Sequence, residues 1–211
     1  MGAVWKYFCE NCTLDLPSIT RTTLTSSIDD PATLQMPLVL APHALLGGSQ
    51  YTFRLSASTG EFTYSDSVIV HVNAAPVDGN VSVSPTVGES ITTVFELAAA
   101  GWNDEDVPLR YRYAWRVSST RYAWLSEQTT NSTGSAVLSN NRGVNQEIVI
   151  AVLVVDSFGA ETLLDADPIE VQPYETASGE NLTNTVRVHM NVSWERLAQI
   201  VGSLLVSTPR S

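Results

Sequence analysis

Carboxylates are the residues of this chain whose types and spacing best suit chemistry. In GWNDEDVPL (101–109), Asp104, Glu105 and Asp106 crowd into a loop just ahead of a strand-like stretch. Asp156 ends a second such stretch in VVDSFGAE (154–161), and Asp165 and Asp167 follow in LLDADP (163–168). Calcium is a hard cation that takes roughly six to eight oxygen ligands, typically carboxylates from several loops together with backbone carbonyls. Two acidic loops at one end of a β-sandwich would converge on one ion, which makes Asp104, Asp106 and Asp156 the candidate calcium ligands. The competing reading is a turn, in which Asn and Asp cap the loop, Pro108 fixes φ, and solvent neutralises the charge.

The sulfur and imidazole groups suit metal chemistry less well. Cys9 and Cys12 form a C-x-x-C pair, but a structural zinc site needs about four ligands. The chain has no other cysteine, and His43, His71 and His189 are scattered singly. A thioredoxin-like redox role needs a βαβ setting, and no helical period interrupts the strand-like stretches of residues 1–172. A short-loop disulfide, or pairing with cysteines outside the chain, fits a secreted protein. Asn11 lies inside the pair and heads a glycosylation sequon, so the sugar and the disulfide compete there. Further sequons begin at Asn80, Asn131, Asn181 and Asn191, although a chain this rich in Ser and Thr also produces them by accident. There is no G-x-S-x-G elbow, no cysteine near a histidine and no glycine-rich phosphate loop after a strand. An enzyme is not expected, and calcium is the one cofactor the residues suggest.

Composition narrows the partners. With 44% hydrophobic and 16% charged residues, 211 residues can bury a sizeable core. A net charge of −11, with Lys6 the single lysine, argues against a nucleic-acid or anionic-membrane surface, which needs clustered cations. The expected partner is an extracellular protein or glycan. MGAVWKYF lacks the basic and apolar regions of a secretion signal, and no apolar run reaches the ~18 residues of a membrane span. The abrupt strand-like start reads as a fragment of something larger, with any membrane attachment lying in parts outside the chain.

The elements that must position these residues read as strands. QYTFRLSAS (50–58) alternates Tyr51, Phe53, Leu55 and Ala57 against polar residues, the period of a half-buried antiparallel strand. AVWKYFC (3–9), TLQMPLV (33–39, interrupted by Pro37) and SDSVIVHVN (65–73) complete a first module over 1–73, an incomplete sandwich. NAAPVDGN (73–80) is a junction. Over 76–172 the stretches 81–85, 92–100, 109–117, 121–127, 135–138, 146–157 and 169–172 have the spacing of a complete seven-stranded β-sandwich. IVIAVLVV (148–155) is apolar on both faces, which suits a central strand. In LRYRYAWRV (109–117), Trp115 is in phase with Tyr111 and Tyr113 as a core anchor, while Arg110, Arg112 and Arg116 share the outer face. Trp102 and Trp124 are candidates for a sugar- or protein-binding patch, with burial as the alternative. In the linker and connector over 173–211, Leu197, Ile200, Val201, Leu204 and Leu205 form one face of an amphipathic helix, with Ser193 as N-cap and Pro209 as stop.

The run VNAAPVDGNVSVSPTVGESITTVFELAAAGWNDEDVPLRYRYAWRV (72–117) resembles the REJ (receptor for egg jelly) region of polycystin-like membrane proteins. The matching residues are Pro76 and Gly79; then Val83, Ser84, Pro85, Gly88, Thr92, Thr93 and Phe95; then Gly101, Trp102, Asp104, Glu105, Asp106, Pro108, Leu109 and Tyr111. MPLVLAPHALLGGSQYTFRLSAS is similar to the preceding module of that family, with Gly48 in place of the usual Pro-Gly context. The resemblance implies a mainly β architecture of tandem immunoglobulin- or fibronectin III-like modules in the ectodomain of a large receptor. It implies a position at the cell surface, the cilium included, beside a polycystin-type channel subunit, with ligand or partner recognition and force-bearing spacing as its work. It carries over no enzymatic residue. The competing class is a calcium-dependent cell-surface adhesin with cadherin-like modules.

Overall fold

Apolar–polar alternation has become β-structure in both halves of the described residues. The computed structural model describes residues 2–10, 12–27, 35–140 and 144–174, and the chain divides into two compact units, Met1–Ala75 and Pro76–Ser211.

The first unit contains β1 (Gly2–Cys9), one helical turn α1 (Leu16–Ile19), β2 (Thr25–Ser27), β3 (Gln50–Ser58) and β4 (Thr63–His71). They form one antiparallel sheet in the order β2-β1-β3-β4. Its register sets Tyr7, Phe53 and Val68 in one row and Cys9, Tyr51 and Val70 in another on the same face. Tyr51 and Phe53 are buried, their rings stacked with centroids 6.0 Å apart, and Leu16, Trp5 and Tyr7 close around them. The opposite face shows Phe8 and Ile69 to solvent. The strand expected over 33–39 is absent from its described part: residues 35–39 have no strand structure. Pro37 offers no N–H to a ladder, and the chain is held instead by Thr22 Oγ1, which accepts from the Val39 N–H at 3.1 Å, and by the Arg21 N–H, which donates to the Val39 carbonyl at 2.8 Å.

The second unit runs through β5 (Asn80–Ser84), β6 (Val87–Glu89), β7 (Val94–Ala100), β8 (Arg110–Ser118) and β9 (Arg121–Trp124). It continues through β10 (Thr133–Val137), β11 (Gln146–Ile148), β12 (Ile150–Val155), β13 (Glu161–Asp165) and β14 (Ile169–Gln172). Three sheets result, ordered β10-β7-β5, β11-β14-β6 and β13-β12-β8-β9. All pairings are antiparallel except β6 with β14. One core joins them: Phe95, Leu97 and Ala99 from the first sheet, Ile148, Ile169 and Val171 from the second, and Tyr113, Ile150, Val152 and Val154 from the third. The central strand expected from IVIAVLVV is β12, flanked by β8 and β13. The seven expected strands are ten, however. The stretch 146–157 breaks at Val149, so that β11 and β12 belong to different sheets, while β6 and β13 lie where loops were expected. Trp115 packs against the core but is only partly buried, and the deep aromatic of β8 is Tyr113. Burial, and after it the nearby Tyr111, pushes the Tyr113 hydroxyl up to about 12, and that hydroxyl donates to the Ser132 carbonyl at 2.6 Å.

Two glycines mark where backbone and ring meet. A Cβ at Gly79 would lie 2.0 Å from Trp102 Cδ2, and one at Gly88 would lie 2.5 Å from Thr93 Cγ2 and 2.7 Å from Phe95 Cζ. Each glycine therefore exists to let a side chain press onto the main chain. The amphipathic helix expected over 193–206 lies outside the described residues, and among those residues no helix is long and apolar enough to cross a membrane.

Candidate functional site

Short-range polar bonds build the acidic end of the second unit. Val77 and Asn103 exchange two backbone hydrogen bonds of 3.0 Å, which close the base of the loop 101–108. Within the loop, Asp104 Oδ1 accepts from the Asp106 N–H at 2.7 Å. Across from it, the turn between β12 and β13 is organised by Asp156, whose side chain is fully buried. Its Oδ1 accepts from the Phe158, Gly159 and Ala160 N–H groups at 2.9, 2.6 and 2.9 Å. The Ser157 N–H donates to the Asp106 carbonyl at 2.9 Å and lashes the two loops together. Arg110 donates to the Asp156 carbonyl at 3.2 Å.

The result brings Asp104, Asp106 and Asp156 together, with one carboxylate oxygen of each lying within 4.8 Å of the others. These are the residues picked out by sequence, and the turn bonds coexist with the convergence. Glu105 is exposed and stands outside the trio. Asp165 belongs to a different arrangement on β13, where it pairs with Arg116 and accepts from the Tyr122 hydroxyl at 3.2 Å. Partial desolvation, followed by the charges of Asp104, Asp156 and Glu105, holds the Asp106 carboxyl above its ordinary range. Three carboxylates make a hard-oxygen cluster that a divalent cation would relieve, with carbonyls and water completing its shell.

The raised Asp106 has a measurable consequence. A carboxyl whose folded pKa exceeds its unfolded value stabilises the fold below that range and loses this contribution as pH rises through the folded pKa. Asp106→Asn is therefore expected to raise the thermal midpoint modestly at pH 7 in chelator-treated buffer. The gain should shrink as the pH falls through the raised folded range and vanish below the ordinary carboxylate range, because the wild-type group is then protonated in both states. A gain that persists unchanged at low pH would show that charge repulsion is not its source.

The remaining candidates are dispersed. Cys9 and Cys12 have their Cα atoms 5.6 Å apart and their sulfurs paired across the short loop. Asn80 opens β5 with its side chain exposed, and Asn131 is exposed in the loop before β10, where its Oδ1 accepts from the Thr133 N–H and hydroxyl. Asn11, Asn181 and Asn191 lie outside the described residues. Of the two tryptophans considered for a binding patch, Trp102 lies against Gly79 and the core, whereas Trp124 is 44% exposed. The Arg112 guanidinium sits over the Trp124 ring at 4.3 Å. This contact was not apparent from sequence, because it depends on the β8–β9 register that sets Ala114 opposite Trp124.

Compared with known families, residues 5–197 match the model described as REJ domain. No curated protein matches the chain.

Proposed function

This chain belongs to the REJ domain family, and from that membership we propose that it is an extracellular, non-catalytic part of a polycystin-type receptor, serving ligand or partner recognition and force-bearing spacing. The observation that carries this reading is the family match, which spans both structural units. The REJ domain is a receptor-associated domain without enzymatic activity, and it forms part of polycystin-type membrane proteins.

Individual residues support the finer points. The two units are modules of immunoglobulin or fibronectin III type, the first of them incomplete, and 173–211 is the linker and connector. Cys9 and Cys12 form a disulfide, and Asn80 and Asn131 carry glycans on their exposed side chains. A polycystin-type channel subunit is the membrane partner. Reading the transcript on both sides of the chain tests the receptor assignment. An autoproteolytic, cysteine-rich segment followed by membrane spans is the expected result, and a transcript encoding a cytosolic protein would sink it.

The convergence of Asp104, Asp106 and Asp156 favours a second reading, a calcium-dependent adhesin with cadherin-like modules. Extracellular calcium modules bind at roughly 10⁻⁴–10⁻³ M. Calorimetric titration should then show binding in that range that is abolished by Asp106→Asn. A flat titration would remove the adhesin reading and leave the cluster as a turn.

A further inference from the structure

We propose that the outward face of the β13-β12-β8-β9 sheet is a docking surface for an acidic protein segment, centred on Trp124 and Arg112. The inference deepens the partner-recognition reading above and rests on it.

The register builds the patch. Arg112, Leu153 and Leu163 form one row across the sheet, and Trp124 and Asp165 flank the paired Ala114 and Ala151 in the next. Tyr122 stands opposite Arg116 in a third. Trp124 and Leu163 are 44% and 41% exposed. Trp, Tyr and Arg are the side chains that most often dominate protein interfaces, and here they are fixed before any partner arrives. Arg112 Nε donates to the Ser126 carbonyl at 3.0 Å while its guanidinium covers the indole. Arg116 and Tyr122 are both tied to Asp165. Side chains already held in place lose little rotamer freedom on binding.

Charge specifies the partner. The chain carries −11 overall, yet Arg110, Arg112, Arg116 and Arg121, four of its 11 Lys and Arg, lie on β8 and β9 alone. Among the described residues Arg121 has no ion pair. Asp165 and Glu161 share this face, but Asp165 is taken up by Arg116 and Tyr122, which leaves Arg112 beside the indole to attract a carboxylate-bearing segment. Leu153 and Leu163 give this face an apolar share suited to a polypeptide. Glycans leave the strands of this face free: Asn80 opens β5 of the β10-β7-β5 sheet, and no sequon falls on β8, β9, β12 or β13.

The test uses the full chain and fluorescently labelled random copolymer of glutamate and tyrosine, with poly-L-glutamate and heparin for comparison. The copolymer is expected to bind more tightly than poly-L-glutamate, and more weakly as salt rises. Arg112→Ala and Trp124→Ala should each weaken it by about tenfold or more. Trp124 is exposed and Arg112 half-buried on the outward side of β8, so circular dichroism should remain that of the wild type, and Leu163→Asp provides an independent variant with the arginines intact. Ser82→Ala, on the other sheet, should change nothing. Absence of copolymer binding, or binding indifferent to the three face variants, would overturn the proposal. So would heparin binding that these variants abolish in the absence of copolymer binding, since the face would then serve an anionic glycan. None of these failures touches the receptor assignment, which the transcript decides separately.

Discussion

Asp156→Ala is expected to destabilise the second unit by on the order of 3 kcal/mol, read as a lower urea midpoint at unchanged slope. The carboxylate is fully buried, and one of its oxygens gathers three successive backbone N–H groups. Hydrogen bonds to a charged acceptor contribute about 1.5–3 kcal/mol each. Phe158 and Gly159, two of the three residues whose N–H groups it holds, are exposed, so water recovers part of the sum, and the net falls well short of it. Asp156→Asn separates two roles of the residue. Its amide oxygen can still accept the three N–H groups, so most of the stability should survive, while any calcium binding should fall sharply because a negative ligand is gone. If alanine and asparagine prove equally costly, the charge matters more to the fold than the turn does.

Gly79→Ala is the second large effect, expected to cost about 2–3 kcal/mol by forcing a methyl group into an occupied space. The space is occupied by the Trp102 indole, while the flanking backbone cannot easily retreat. Val77 is bonded twice to Asn103, and the buried Pro76 accepts from the Thr162 hydroxyl at 2.7 Å. Trp102→Ala removes the obstacle, so in that background the glycine substitution should cost less than ~1 kcal/mol. The double-mutant cycle, followed by circular dichroism, isolates this coupling. Equal costs in both backgrounds would mean that the strain lies in the main chain and not against the ring. Gly79 and Trp102, some twenty residues apart in this chain, are thus two halves of one contact.

Legibility in the sequence depended on how strongly each segment marked its two faces. β3 and β8 were readable because Tyr51 and Phe53, or Tyr111 and Tyr113, alternate with polar residues. The acidic cluster was readable because its carboxylates sit just before β8 and just after β12, and antiparallel pairing of those strands brings such positions to one end. The break at Val149 was not, since a segment apolar on both faces carries no parity to show where it changes sheets. Residues 35–39 misled for a related reason: their apolar content suggested a strand, but Pro37 takes a donor from the ladder. β6 is three residues long and contains Gly88, too short and too bare of side chains to announce itself. The Arg112–Trp124 contact depended on a hairpin whose register shifts between Arg116 and Ser118.

The crossing at Val149 makes one covalent segment the property of two sheets. Ile148 is bonded into the ladder with β14 and Ile150 into the ladder with β8, while the carbonyl between them accepts from the Arg116 N–H at 2.8 Å. Neither sheet can peel away without disturbing the other, because the residue that ends one ladder adjoins the residue that begins the next. The amides of β11, β12 and β14 should therefore exchange with solvent deuterium through a shared opening, not as separate strands fraying in turn. In that sense a single peptide linkage adds a covalent share to the cooperativity that the common core already gives the unit.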